Sequence, residues 1–276
     1  MSRQLPYSDR TYIMGVLNVT PDSFYDKGRF FDQKKAVKHA LDMERDGADI
    51  IDVGGESTRP GAIDVGVDEE LRRVVPVIRA ISKKVEAAIS IDTRKAKVAD
   101  AALKAGASIV NDVSALMEDP GMAGVVAKHR AKVILMHMKG KPKNMQTDPR
   151  YINTVKDIAR SLKRSIALAK RAGIKHDKII IDPGIGFGKT VEHNLEILRA
   201  LKFFKELGYP LCVGTSRKYF IGKIIGSKDP KDRLAGSLAT AAVAAMNGAN
   251  IIRAHDVGPT RQVLKIVDTI MDINKK

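Results

Sequence analysis

The chain has 276 residues, 44% of them hydrophobic, enough for one sizeable core. No stretch approaches the ~20 consecutive apolar residues that cross a bilayer, so no membrane association is expected; the polar opening MSRQLPYSDR is unlike a secretory leader. A formal charge of +16, from 48 Lys and Arg against 32 Asp and Glu, raises the question of nucleic acid. Its basic residues are scattered, as in Lys83, Lys84, Lys170 and Arg171, and the 5% aromatics without tryptophan offer no stacking platform. No nucleic-acid partner is therefore expected, and the excess reads as solvated helix faces that draw anionic substrates.

Eight short apolar runs are predicted as strands: Tyr12–Leu17, Ile50–Val53, Ala88–Ile91, Ile109–Val110, Val133–Met136, Ile179–Ile181, Leu211–Val213 and Ile251–Ile252. Most are continuous rather than alternating, the pattern of parallel strands covered on both faces. The stretches between them carry helical spacing. In residues 34–45, Val37, Ala40 and Leu41 fall on one face, and Glu44 ends the stripe. Gly47, Gly106, Gly173, Gly208 and Gly248 each follow such a stretch, where a helix end takes a left-handed residue. The only cysteine, Cys212, sits in the seventh run and reads as a buried strand residue. A lone cysteine rules out an intrachain disulfide and suits a reducing, cytoplasmic setting. Strand–helix alternation dictates a parallel sheet with right-handed crossovers. Eight units in this length predict a closed (β/α)8 TIM barrel, one domain over residues 1–276, with an open doubly wound sheet as the alternative.

Polar residues collect where the predicted strands end. The first runs into Asn18-Val-Thr-Pro-Asp-Ser-Phe24, the second into Gly54-Gly-Glu-Ser-Thr-Arg-Pro-Gly61, and the third into Asp92-Thr-Arg94. Asn111-Asp112, His137, Asp182-Pro-Gly-Ile-Gly-Phe-Gly-Lys-Thr190, Gly214-Thr-Ser-Arg-Lys218 and Arg253-Ala-His-Asp256 follow the rest. In a parallel α/β protein that end is where loops converge on a ligand. Asp92, Asn111 and Asp182 offer acceptors, with an amide donor from Asn111, and suit a heterocycle rich in N–H groups. Arg59, Arg217, Lys218, Arg253 and His255 offer donors or positive charge for phosphate oxygens. Together they read as a site for a polar ring joined to a phosphate or diphosphate. Ion pairs around the barrel rim are the plainer alternative.

Several tempting motifs fail. A nucleotide P-loop ending at Lys189-Thr190 would need glycine where Pro183 stands. Gly184, Gly186 and Gly188 are spaced G-x-G-x-G, which is not the dinucleotide fingerprint. Neither a histidine pair on a helix nor a cysteine cluster supports zinc. His137, flanked by Met136 and Met138, reads as structural.

Gly15-Val-Leu-Asn-Val-Thr-Pro-Asp-Ser-Phe24 and Asp182-Pro-Gly-Ile-Gly-Phe-Gly-Lys189 closely resemble the two signatures of the dihydropteroate synthase family. Gly55-Glu-Ser-Thr-Arg-Pro-Gly61, Ser90-Ile-Asp-Thr-Arg94, Asn111-Asp-Val-Ser114, Thr215-Ser-Arg-Lys218 and Arg253-Ala-His-Asp-Val257 extend the match over nearly the whole chain. The resemblance implies a Mg²⁺-dependent, homodimeric transferase of folate biosynthesis. Such an enzyme joins 6-hydroxymethyl-7,8-dihydropterin diphosphate to p-aminobenzoate, giving 7,8-dihydropteroate and pyrophosphate. It implies that Asp92, Asn111, Asp182 and Lys218 hold the pterin ring, with Met136 packed against it. Arg253, His255 and Asn18 would bind the diphosphate, and Asn18 would also ligate the metal. Phe187, Pro60, Lys218 and Ser216 would line the p-aminobenzoate pocket. Thr58 and Arg59 would lie on a loop that closes with residues 18–29, and Arg217 would join the substrate contacts. Asp92, Asp182, Lys218 and Arg253 would carry the chemistry. Tyr25, Lys27 and Tyr219 depart from the family's usual residues: the first two bear on loop closure and the third on the amine pocket's rim. The alternative is a pterin-binding methyltransferase acting on a methylated folate, which would have no use for Thr58, Arg59 or the Arg253–His255 pair.

Overall fold

The computed structural model describes residues 7, 10–20, 25–26, 30–31, 33–57, 64–140 and 144–271. Among the described residues eight strands form the main sheet: β1 (Tyr12–Asn18), β2 (Ile50–Gly54), β3 (Ala88–Asp92), β4 (Ile109–Asp112), β5 (Lys132–Met136), β6 (Ile179–Asp182), β7 (Cys212–Val213) and β8 (Ile251–Ala254). All pairings among them are parallel, in the order β6-β5-β4-β3-β2-β1-β8-β7. A bridge between Ile181 and Leu211 joins the two ends of that sheet and closes the predicted TIM barrel. There the Ile181 amide donates to the Pro210 carbonyl at 2.9 Å.

Ten helices cover the outside among the described residues: α1 (Gln33–Arg45), α2 (Val67–Ile81), α3 (Ala96–Ala105), α4 (Met122–His129), α5 (Thr154–Arg171), α6 (Val191–Arg199), α7 (Leu201–Lys205), α8 (Tyr219–Ile225), α9 (Leu234–Met246) and α10 (Val257–Ile270). Their ends follow local chemistry. Asn153 caps α5 by accepting from the Lys156 amide, and Thr190 and His193 form a reciprocal capping box on α6. The five glycines expected at helix ends all have positive φ, from 82° at Gly208 to 122° at Gly106. In α1 the buried face is Ala36, Val37, Ala40 and Met43, so Leu41, expected inside, instead stands 36% exposed. The face that meets the barrel is rotated toward Met43, one turn beyond Ala40. A small hairpin pairing Tyr25–Asp26 with Phe30–Phe31 interrupts the path from β1 to α1; sequence reasoning does not anticipate it.

Strand alternation divides the side chains. Ile13, Ile51, Ile91, Val110, Leu135, Ile181 and Ile252 face outward into the core shared with the helices. The inward residues fall into layers drawn from alternate strands, as barrel register requires. Ile50, Ile109, Ile180 and Ile251 form one layer, and Met14, Ser90, Ile134 and Cys212 the next. Tyr7 and Tyr12 close the floor beneath, their rings meeting edge-on at 5.5 Å. Each buried isoleucine contributes about 2–3 kcal/mol relative to exposure. One step further toward the strand C-termini the layer becomes Asp52, Asn111, Asp182 and Arg253, with Val16, Asp92, Met136 and Gly214 above it. An ionisable layer in a barrel interior costs desolvation that an aliphatic one would not. Here, at the open end of the barrel, the fold stops serving stability alone.

Candidate functional site

Arg253 organises the ionisable layer. Its Nε donates to Asp52 Oδ2 at 2.7 Å and its Nη2 to Asp92 Oδ2 at 2.9 Å. The same Asp52 oxygen accepts from Asn111 Nδ2 at 3.1 Å. Thus Arg253 on β8, Asp52 on β2, Asp92 on β3 and Asn111 on β4 form one hydrogen-bonded group. The Oδ1 atoms of Asp52 and Asp92 and the hydroxyl of Ser90 are buried with no hydrogen-bond partner among the described residues. Unpartnered buried acceptors are costly, and these lie on neighbouring strands just beneath the mouth.

Burial raises both exposed-end acids. Asp92 is pushed up to about 7, chiefly by desolvation; Arg253 opposes this, while Asp52, Glu70 and Asp112 add to it. Asp182 is pushed up to about 6 by desolvation, against the Gly184 amide and the charges of Lys218, Lys189 and Arg253. Cys212, deeper in the barrel, is raised well above an ordinary thiol by the same loss of solvent. It is therefore no thiolate nucleophile.

The turn after β6 forms one wall of the mouth. Asp182 Oδ1 accepts from the Gly184 amide at 2.7 Å. Gly184, at φ +72°, lies so close to His137 that a Cβ there would sit 1.9 Å from its carbonyl oxygen. Only glycine permits that approach. Asn194 of α6 accepts from the Gly186 amide at 2.7 Å, and Tyr151 donates to the Gly188 carbonyl at 2.9 Å. Phe187 packs with Val113, Met136 and Met145 as an apolar cluster. Lys218 lays its stem against Gly186 and its Nζ 4.1 Å from the Phe187 ring centroid. Lys189 is buried beneath, donating to the Phe187 carbonyl at 2.9 Å and lying 3.1 Å from His137 Nδ1. Burial, with Lys189 and Lys139 nearby, drives His137 down to about 2, which keeps it neutral and supports its structural reading.

Opposite, Ser216 Oγ accepts from the His255 amide at 3.1 Å and lies 3.0 Å from His255 Nδ1. The Asn18 side-chain oxygen stands beside Gly54, 3.8 Å from where a Gly54 Cβ would be. Arg217 differs from the other predicted residues: its fork is held by both Asp256 oxygens, at 2.9 and 2.6 Å. Tyr219 is 64% exposed at the start of α8. Thr58, Arg59, Pro60 and Lys27 lie outside the described residues, as does most of the loop over residues 18–29. The structure thus brings together Asn18, Asp92, Asn111, Met136, Asp182, Phe187, Ser216, Lys218, Arg253 and His255 at one end of the barrel.

A second charged group lies beside the mouth. Arg94 donates to Glu56 at 3.0 Å, to Asp64 at 3.2 Å and to Glu118 at 2.7 Å. Lys95 donates to Glu56 at 3.0 Å and to Glu70 at 2.6 Å. Glu56 also accepts from the Val65 amide at 2.8 Å, so the two ends of the loop after β2 are tied together. Sequence reasoning passes over Asp52, Lys189 and this group. Asp52 hides inside an apolar run, although its place two residues after Ile50 puts it on the same inward face.

Comparison with known proteins agrees with this geometry. The profile of the pterin binding enzyme family matches residues 14–255. A dihydropteroate synthase from Synechocystis sp. is 46% identical over 264 residues, covering 96% of this chain and 91% of the relative. The crystal structure of Yersinia pestis dihydropteroate synthase with a sulfonamide drug superposes with a TM-score of 0.93 at 44% identity, over 99% of this chain and 98% of that one. Xanthomonas albilineans dihydropteroate synthase with 4-aminobenzoic acid gives a TM-score of 0.90 at 44% identity, over 95% and 94%.

Proposed function

The chain belongs to the dihydropteroate synthase family, and from that premise we propose how its barrel mouth condenses 6-hydroxymethyl-7,8-dihydropterin diphosphate with p-aminobenzoate. The products are 7,8-dihydropteroate and pyrophosphate, a step of folate biosynthesis. The observation that carries the site assignment is the convergence of Asp92, Asn111 and Asp182, with an unpartnered Asp92 oxygen, at the open end of the barrel. Those groups accept the ring's N–H donors, and unpaired donors on a wrong ring would be penalised. Met136 packs beside the ring, and Lys218 lies over Phe187 with its charge felt by Asp182.

In the reaction the C–O bond between the pterin methylene and the diphosphate breaks, the bonding pair leaving with pyrophosphate. The amine nitrogen then bonds to the methylene carbon and its proton passes to solvent. A cationic pterin-methyl group forms close to the Asp92 carboxyl and favours its ionised form, while Arg253 and His255 stabilise the departing anion. An aromatic amine is already neutral at pH 7, so no strong general base is needed. Phe187 and Ser216 border the amine's approach.

Mg²⁺ suits the donor set. Among the described residues no group of three or more His, Cys, Asp or Glu forms a metal cage, whereas one amide oxygen, that of Asn18, stands at the mouth beside Gly54. Mg²⁺ is commonly held by substrate phosphates with few protein ligands. Asn18 would hold it, and the ion would neutralise charge on the diphosphate. We also propose a cytoplasmic homodimer. On α9 the exposed residues are Ala235, Ala239, Val243 and Met246, an apolar stripe that supports the dimer, and the buried thiol of Cys212 accords with a reducing compartment.

The decisive assay is p-aminobenzoate-dependent pyrophosphate release from the pterin diphosphate with Mg²⁺. Release requiring both substrates, and falling at least about 10²-fold in Lys218→Ala and Arg253→Ala, is the expected result. Pterin binding without release at any amine concentration would instead favour transfer to another acceptor.

A further inference from the structure

We propose that Asp52 is a positioning residue for this reaction: from β2 it fixes the Arg253 guanidinium and the Asn111 amide in the orientation that leaves Asp92 open to the pterin ring. The inference rests on the synthase reading and adds to it a residue that does not itself touch the amine or the diphosphate.

Three observations carry it. First, Asp52 Oδ2 takes both the Arg253 Nε–H at 2.7 Å and the Asn111 Nδ2–H at 3.1 Å. One oxygen thereby ties β2 to β8 and β4, neither of which is its neighbour in the sheet. Second, Asp52 is completely buried. An aliphatic residue there would complete the pattern of the isoleucine layer below without the desolvation cost. Third, the Arg253 fork is shared, with Nε on Asp52 and Nη2 on Asp92. Without Asp52, both donors turn to Asp92 as a bidentate pair and cover the Asp92 Oδ1 that now has no partner. Asp52 therefore divides the arginine so that Asp92 keeps one face for the ligand.

Asp52 also sets the charge felt by Asp92. The groups facing that carboxyl are Arg253 from β8, Asp52 from β2, Glu70 from α2 and Asp112 from β4. Removing the Asp52 charge takes away a like charge and leaves Arg253 to pair with Asp92 alone, so Asp92 ionises at lower pH.

The test compares wild type with Asp52→Asn, whose amide oxygen still accepts from Arg253 and Asn111 but carries no charge. In Asp52→Ser, too short to hold both partners, kcat should fall about 10²-fold while the amine KM stays within about twofold; Asp52→Asn, which keeps both contacts, should lose far less. The acid limb of kcat/KM for the pterin diphosphate should move to lower pH, which a merely structural residue would not do. Asp52→Ser, smaller and uncharged, should move the limb in the same direction. A limb and a kcat matching wild type in both variants would overturn the inference, as would loss of folding in both, which assigns Asp52 to the core alone. If wild type itself releases no amine-dependent pyrophosphate, the synthase reading fails separately. The limb is then read from calorimetric titration with 6-hydroxymethyl-7,8-dihydropterin, and the same shift or its absence decides Asp52.

Discussion

At the scale of single residues, backbone approach matters as much as side-chain chemistry. Gly184 has φ +72° and no room for a Cβ against the His137 carbonyl, and its amide holds Asp182 Oδ1. A methyl group there forces the turn away from β5, carrying Asp182 and Phe187 with it. A displacement of about 1 Å at reacting groups costs about 10²-fold in rate. Gly184→Ala should therefore lose at least that much kcat/KM and about 2–3 kcal/mol of stability. Gly124→Ala is the matched control. Gly124 lies within α4 with nothing near its Cβ position, and alanine there should be neutral or stabilising by up to about 1 kcal/mol. Steady-state kinetics and thermal unfolding of both variants check this. Wild-type turnover in Gly184→Ala would mean that the turn can relax without moving the acid.

At the scale of elements, the loop after β2 is held by buried charge. Burial by itself would raise Glu56, but the Val65 amide and the Lys95 and Arg94 side chains outweigh it and hold the carboxyl below its usual range. Such a group contributes stability above its unfolded value of 4.5 and loses that contribution as pH falls through the lower folded value. Arg94→Met should cost about 3 kcal/mol at pH 7, the low end for breaking a buried pair, because Lys95 still meets Glu56. Urea unfolding of wild type and variant should converge as the pH drops below 4.5. Equal stability at pH 7 would show that Lys95 alone suffices. The same region shows what a sequence carries and what it hides. All eight strands are legible because continuous apolar runs mark parallel strands buried on both faces. Their C-terminal ends are less so: β1, β3, β4, β6 and β8 run on through Asn18, Asp92, Asn111, Asp182 and Arg253, residues that polarity alone assigns to loops. Asp92, Asn111 and Asp182 are recognisable as site residues because several strands end alike. Asp52 is not, since its partners Arg253 and Asn111 lie 201 and 59 positions away and meet it only through the barrel's stagger. Glu56 and Arg94 stand in the strand-end motifs, but their network with Lys95, Glu70 and Glu118 forms only where the loops converge.

At the scale of the whole molecule, the +16 charge makes the bare surface of α9 more informative. Over Leu234–Met246 that helix carries no charged residue, although it lies on the outside of the barrel. Ser237, Ala241, Ala244 and Ala245 face the core, while Ala235, Ala239, Val243 and Met246 form the exposed stripe. A helix apolar on all sides belongs in an interior. It packs along α10, whose Ile266 and Ile270 are 62% and 72% exposed. The small residues of the stripe allow close approach of a second backbone, and a stable self-association buries roughly 1,200–2,000 Å² in all. The expected species in solution is a dimer of twice the 30.1 kDa chain mass. Placing charges in the stripe, as Ala239→Glu with Val243→Glu, should give a folded monomer in sedimentation equilibrium, because four carboxylates, two from each subunit, would have to be desolvated across the interface. Lys163→Glu, on the solvated face of α5, should leave the dimer intact. Wild type sedimenting as a monomer at micromolar concentration would sink the dimer and require another cover for α9. A dimer that survives the α9 charges would place the interface elsewhere on the barrel.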